Sequence, residues 1–270
     1  MFGFTEEQIH RYARHIVLPQ LGGKGQRKLL DSRVLVVGVG GLGSPVSLYL
    51  AAAGVGTLGL VDNDVVDVSN LQRQVVHRNE NLGKPKVTSA AAALHALNPE
   101  VSVVQHQVTF SSANAMELVA GYDLVVECSD NFPSKYLASD VCVLANKPLV
   151  WGAVFQFDGQ MSVVLPKRGP CYRCIFPSPP PPGSVPSCVE AGVLGALVGI
   201  VGSWQALEAI KVLTGIGEPL VGRLLILDGL RSESDTVEVN RRSDCEICGN
   251  HPTIHHLIDY EVFCGLRPAA

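Results

Sequence analysis

The stretch RVLVVGVGGLG at residues 33–43 constrains the fold more than any other. Its first five residues are apolar after Arg33, as in a strand covered on both faces. Gly38, Gly40 and Gly43 then form G-x-G-x-x-G, Gly41 adds a fourth glycine, and a helix pattern follows in SPVSLYLAAAG. GTLGLVD reads as a second strand. A strand–helix–strand unit of about 30 residues has the size of a right-handed crossover. Glycines in such a loop let backbone amides and a helix N-terminus approach a phosphate. Asp62 ends the second strand, 19 residues past Gly43, where a carboxylate can take ribose hydroxyls. The loop does not by itself choose between a dinucleotide and ATP, and a purely structural turn remains the alternative.

The alternation continues along the chain. Residues 86–97 are helical in pattern, with Pro85 near the first turn and Pro99 just beyond the last. VSVVQHQV, YDLVVECSD and KPLVWGA read as strands, the last two separated by a helix in FPSKYLASDVCVLAN. The predicted class is α/β: a Rossmann-like, doubly wound sheet, parallel in the N-terminal half. GQMSVVLP, GRLLILDG and DTVEVNRR have short links, so the C-terminal half turns antiparallel. Before all of this, Thr5 and Gln8 fit a capping box that starts one helix over residues 5–17. Its apolar stripe of Ile9, Tyr12, Ala13, Ile16 and Val17 leaves Arg11 and Arg14 outside.

The net charge of −4 argues against a nucleic-acid binder, which would carry a basic face. The start of the chain is polar and charged rather than a secretory signal. Residues 191–207 carry no charge but are shorter than a membrane span and rich in glycine, so they read as a buried helix. Gly195, Gly199 and Gly202 would allow close approach, including that of a partner subunit.

Asn70, Arg73, Gln74, Lys84 and Lys86 cluster after Asp62. Lys84 and Lys86 sit at a helix start, where the helix dipole disfavours a cation, so a bound anion would account for them. A solvated basic loop is the plain alternative. Asp130, in ECSDN, follows a buried strand at its carboxyl end, the edge where open α/β sheets hold ligands. Facing a polyphosphate it would bind Mg2+, and otherwise it would cap the helix beginning near Phe132.

Of eight cysteines, four form the pairs CYRC (Cys171, Cys174) and CEIC (Cys245, Cys248). Two such pairs can make a four-thiolate zinc site, although 71 positions from Cys174 to Cys245 exceed a compact ribbon. A thioredoxin-like redox pair is the competing reading. Cys128 and Cys142 read as buried structural residues, Cys264 has no evident role, and the histidines at 251, 255 and 256 read as surface residues. Cys188 stands after the proline run PSPPPPGSVPSC and before a helix, which can lower a thiol pKa.

Together GVGGLGSP, DNDVVDVSNLQRQ, GKPK, CSDN, CYRC, SCVEAGV and CEICG stand in the order seen in the MoeB/ThiF adenylyltransferases, prokaryotic relatives of ubiquitin-activating enzymes. The resemblance covers residues 5–249. The proline segment is most similar to members of the actinobacterial and Thermus/Deinococcus type, which serve sulfur carriers for tRNA thiolation, molybdopterin, thiamine or cysteine synthesis.

The resemblance implies ATP-dependent adenylation of the C-terminal Gly-Gly carboxylate of a small ubiquitin-like sulfur carrier, with release of pyrophosphate. It implies nucleotide contacts from Gly41, Asp62, Ser69, Asn70, Leu71, Gln72, Arg73, Lys86, Asp130 and Asn131. Asp130 would also hold Mg2+, the four paired cysteines zinc, and Arg14 would act from the other subunit of a homodimer. Cys188 matches a candidate nucleophile; a harmless loop thiol is the alternative. The expected layout is one adenylating domain over 1–250, with a crossover loop at 177–188, and a tail over 251–270 that resembles only the linker to a rhodanese domain. Sulfur would then come from a separate donor. The expected setting is the cytoplasm, with no membrane and no direct nucleic-acid contact. An NAD-dependent oxidoreductase and a non-catalytic scaffold for a ubiquitin-like partner remain the rival readings.

Overall fold

The structure is a computed structural model and describes residues 3–184 and 188–267, without the side chains of Cys188 and Val189. Three short helices, α1 (Glu6–Arg11), α2 (Ala13–Ile16) and α3 (Gly22–Asp31), precede the sheet. Then come β1 (Arg33–Val37), α4 (Gly43–Ala52), β2 (Thr57–Val61), α5 (Lys86–Leu97), β3 (Ser102–His106), α6 (Ala115–Ala120) and β4 (Leu124–Glu127). They are followed by α7 (Phe132–Leu144), β5 (Leu149–Phe155), β6 (Asp158–Val164), α8 (Tyr172–Ile175), α9 (Cys188–Ala191) and α10 (Gly195–Thr214). The last elements are β7 (Arg223–Asp228), β8 (Glu233–Glu238) and α11 (Tyr260–Phe263).

The eight strands form one sheet in the order β3-β2-β1-β4-β5-β6-β7-β8. Pairs from β3 to β5 are parallel, and pairs from β5 to β8 are antiparallel. The expected α/β class and its change of direction are both present. Strand order reverses between β1 and β4, and the crevice outside their carboxyl ends is where such sheets bind ligands.

Alternation of side chains divides the core in two. Val34 and Val36 of β1 and Leu124 and Val126 of β4 face one cluster, which α4, α5 and α10 cover. Leu35, Val37 and Val125 face the other, which α6, α7, α8 and α11 cover. Both faces are dry, which is why these strands read as unbroken apolar runs.

The N-terminal helix departs from expectation. Thr5 and Gln8 do form the capping box, but the helix breaks at Tyr12, whose φ of −100° and ψ of 14° leave the helical basin. Tyr12 is buried, and its hydroxyl accepts from Asn98 Nδ2 at 2.9 Å, which anchors the break. Ile9 and Val17 are left exposed. The long apolar helix also differs. It begins at Gly195, and only one of its faces is buried, through Leu197, Val198, Val201, Ala206 and Ala209. Ile200 and Leu207 face outward. By length and composition α10 could cross a membrane, yet its buried face packs on α4, β5 and β6. Gly195 and Gly202 pack tightly within the chain, whereas Gly199 opens onto the exposed face.

α3, with three glycines, and the short α6 gave no clear sequence signal. The segment after residue 250 is packed rather than a free linker: Tyr260 and Cys264 are buried against α7, and Gly265 lies against Pro182.

Candidate functional site

One cleft of about 740 Å³ opens at the switch point and gathers most of the singled-out residues. Gly38, Gly40 and Gly41 form its floor after β1. Gly38 has φ of +88°, and a Cβ there would come 3.0 Å from the Cys128 carbonyl oxygen. A side chain on Gly43 would run into the Gly38 carbonyl, so the sharp turn into α4 requires glycine at both places.

Asp62 closes β2 beside this floor. Its Oδ2 accepts from Val39 N at 2.8 Å and its Oδ1 from Asp64 N at 2.9 Å. The carboxylate is therefore fixed against the glycine loop by two backbone amides. His77 braces the loop from behind: its Nε2 lies 3.0 Å from the Val39 carbonyl and its Nδ1 2.9 Å from Ser89 Oγ. Burial foremost pushes the imidazole below its ordinary value, which keeps it neutral, with Nε2–H donating to Val39 and Nδ1 accepting from Ser89.

Arg73 and Lys86 reach the cleft from the other wall. Arg73 Nη1 donates to the Ser69 carbonyl at 3.2 Å. Lys86 is buried and paired with Asp64 at 2.8 Å. The anion inferred from its position at a helix start is thus supplied within the chain, and Lys84 bonds Asn81 at 3.1 Å instead. Ser69, Asn70, Leu71 and Gln72 do not line the cleft. They build a turn in which Asp67 accepts from Ser69 N at 2.8 Å and Asn70 Oδ1 accepts from Asp67 N at 3.3 Å. Arg14 is exposed on α2, away from the cleft lining.

Asp130 and Asn131 lie on the β4–α7 loop and line the cleft. Asn131 is the N-cap of α7, its Oδ1 accepting from Ser134 N at 2.9 Å. Asp130 is therefore not the cap. Its carboxylate is exposed and has no hydrogen bond or ion pair among the described residues. A free carboxylate at this edge suits a divalent cation.

Gln74, singled out with Arg73 in the sequence, is buried in the cleft, and its Oε1 finds no partner among the described residues. Other residues beneath the cleft escaped the sequence reading. Lys135 and Glu127 form a buried ion pair at 2.7 Å below Asp130. A glutamate inside the apolar run LVVE was the available signal, since a buried charge needs a partner. Residues 178–183 of the proline run form the outer wall. Cys188 begins α9, and its thiol lies outside the described residues.

The four paired cysteines converge beside α7. Their sulfurs all lie within 4.8 Å of one another, with Cys171–Cys174 at 3.9 Å, Cys171–Cys245 at 3.6 Å and Cys174–Cys248 at 3.4 Å. A tetrahedron with about 2.3 Å from metal to sulfur has edges of about 3.8 Å. The set fits zinc and is too long for disulfides. Between Cys171 and Cys174, the side chain of Arg173 runs inward to Asp140 of α7 at 2.8 Å, and Asp140 also accepts from the Tyr260 hydroxyl at 2.8 Å. The zinc knuckle, α7 and the C-terminal segment are joined by that network. Cys128 and Cys142 are buried as expected, and burial foremost pushes both thiols up. Cys264 is buried at the cleft edge, its thiol raised to about 11 by burial foremost.

The ThiF family profile matches residues 12–247. The chain belongs to the ThiF family. The resemblance read from seven motifs is borne out, and the chain is a ThiF-family enzyme. It is 53% identical to the sulfur carrier protein adenylyltransferase of Thermus thermophilus over 269 residues, 98% of this chain and 99% of the relative. It is 52% identical to the bovine (Bos taurus) adenylyltransferase and sulfurtransferase MOCS3 over 97% of this chain, but it spans only 58% of that protein. Among solved structures, Escherichia coli MccB superposes with a TM-score of 0.82 at 23% identity, covering 95% of this chain and 76% of that one. At that identity the likeness speaks for the ThiF-family fold alone.

Proposed function

We propose that this chain is an ATP-dependent adenylyltransferase that activates the C-terminal Gly-Gly carboxylate of a small ubiquitin-like sulfur carrier protein. One observation carries the reading: Asp62, Arg73, Lys86 and Asp130 line a single cleft around the glycine loop. The similarity to the Thermus thermophilus adenylyltransferase over nearly the full length of both chains supports it.

Asp62, held by two amides, takes the ribose hydroxyls of ATP. The carrier carboxylate attacks the α-phosphorus, the bond to pyrophosphate breaks, and an acyl adenylate remains. Two anions must meet in that step, so fixed positive charge dominates the catalysis. Arg73 and Lys86 supply it from this chain. Asp130, exposed and without a partner among the described residues, would hold Mg2+; bound there, the ion would neutralise phosphate charge. A sulfur nucleophile from a separate donor then displaces AMP to give the thiocarboxylate. Where Cys188 is proposed to take the carrier on the way, its thiolate displaces AMP to form a thioester and the donor's sulfur then displaces the Cys188 thiolate; its position just after the proline wall supports this. Zinc is proposed as a structural tie.

The homodimer is also a proposal. It is supported by an apolar groove between α4 and α10 with Tyr49, Ile200 and Leu207 exposed at 58%, 53% and 49%. Arg14 would act across it. The single adenylating domain of residues 1–250, the tail after it and a cytoplasmic setting complete the reading.

Incubation with ATP and each candidate Gly-Gly carrier, followed by mass spectrometry, tests it. A carrier–AMP adduct is expected. A protein that binds ATP but forms no adduct or exchange with any such carrier would overturn it.

A further inference from the structure

We propose that Lys135 and Glu127 are a positioning pair that fixes the loop carrying Asp130, and so sets how well the site takes Mg2+ with ATP. The inference rests on the function proposed above. All three N–H donors of the Lys135 ammonium are used: they reach Glu127 Oε2 at 2.7 Å, the Ser129 carbonyl at 2.9 Å and the Gly152 carbonyl at 2.6 Å. Glu127 Oε1 accepts from Ser129 N at 2.7 Å and also from the Ser129 hydroxyl. Both peptide groups of Ser129, the residue before Asp130, are thereby held. On the other side Asn131 is fixed as the cap of α7. Asp130 stands between two immobilised neighbours and bonds to neither.

The loop has little room to shift. Cys128 and Ser129 back onto Gly38 so closely that even a Cβ there would press on them. Across the strand, Gln205 of α10 donates to the Glu127 carbonyl at 2.8 Å. The network therefore ties α7, β4, β5 and α10 to one point beneath the cleft. Stability alone gives a poor reason for it, because replacing a buried ion pair with apolar groups is often neutral or favourable. A fixed carboxylate at a metal position gives a better one, since partners of ligating groups orient them.

The test compares three proteins: wild type, the double variant Lys135→Met with Glu127→Gln, and Lys135→Arg. The double variant leaves no unpaired buried charge, and its glutamine still accepts from Ser129 N. ATP binding is measured by calorimetry across a Mg2+ titration and without Mg2+, alongside thermal unfolding. The double variant is expected to fold and to bind ATP without Mg2+ as wild type does, while half-saturating Mg2+ rises about tenfold. Lys135→Arg, which keeps the charge and donors but not the compact ammonium, is expected to fall between wild type and the double variant. An unchanged Mg2+ requirement in the folded double variant, or an arginine variant as impaired as the double, overturns the proposal. If the double variant does not fold, Glu127→Gln alone carries the test: its amide offers one acceptor oxygen where the carboxylate offered two, to Lys135 and to Ser129 N, and an unchanged Mg2+ requirement there is equally fatal. Failure of the function itself would look different: the wild-type protein would form no carrier–AMP adduct and no exchange with any Gly-Gly carrier, whatever its Mg2+ requirement for ATP.

Discussion

Lys86 Nζ lies 2.8 Å from Asp64 Oδ2, and the two side chains differ sharply in exposure, 7% for the lysine and 73% for the aspartate. The lysine opens α5, where the helix dipole opposes a cation. Asp64 offsets that field without enclosing the ammonium, which still lines the cleft. The pair holds a positive charge ready where a triphosphate would lie. Replacing Lys86 with Met is therefore expected to lower carrier-dependent ATP–pyrophosphate exchange about 100-fold or more. Exchange within threefold of wild type in the purified variant would remove Lys86 from the chemistry.

Asp130 and Asn131 are neighbours with opposite duties. Asp130→Asn deletes a charge that nothing in the described fold uses. Tm is expected to stay within about 1 °C, while exchange falls about 100-fold. Asn131→Ala removes the α7 cap and costs about 1 kcal/mol, or roughly 2–4 °C in Tm for a chain of this size. The comparison fails if Asp130→Asn is the less stable of the two.

The cysteine quartet closes a loop of 71 positions between Cys174 and Cys245. A crosslink over a loop of that length is worth about 4 kcal/mol in the chain-entropy model. Metal analysis is expected to find one zinc per chain, and Cys248→Ser or chelation should lower Tm by about 10 °C. A protein that gives up its zinc and keeps its Tm would show that the metal is no structural tie.

His77 gives a pH dependence whose sign is fixed by its environment. Burial lowers its folded pKa below the ordinary 6.5. Protons therefore bind the unfolded chain first. The stabilisation is complete above about pH 6.5 and is lost as pH falls from there through the folded value, at most about 1.4 kcal/mol per pH unit for one proton. His106 is also lowered by burial and contributes in the same direction. His77→Gln should flatten the fall in Tm between pH 7 and pH 5. Parallel curves for the two proteins would exclude His77 as a contributor.

Local chemistry decided how much of this could be read in advance. The strands β1, β2 and β4 were legible because both faces of the sheet are dry, and G-x-G-x-x-G was legible because the turn forces glycine at Gly38 and Gly43. The break at Tyr12 was not, since it depends on a hydrogen bond to Asn98, 86 positions away. The partner of Lys86 was missed for the same reason: Asp64 lies 22 residues earlier, beyond the span of any helical pairing rule. α10 looked buried all round because its exposed Ile200 and Leu207 are as apolar as its core face, and composition cannot tell an interface from an interior.

That exposed face leads to the last prediction. Arg14 lies on α2, outside the cleft lining. If it completes the site of a partner, an Arg14→Ala protomer and an Asp130→Asn protomer are each inactive as homodimers. A mixed dimer differs, because one of its two sites draws Arg14 from the second protomer and Asp130 from the first, and is intact. Subunits mixed one to one form mixed dimers in half of the population, each with one working site of two. About a quarter of wild-type exchange should return. Recovery must need subunit exchange, so mild unfolding and refolding of the mixture should raise it and dilution below the dimer range should abolish it. A mixture that stays inactive, although cross-linking shows that mixed dimers have formed, would mean that Arg14 does not act in trans.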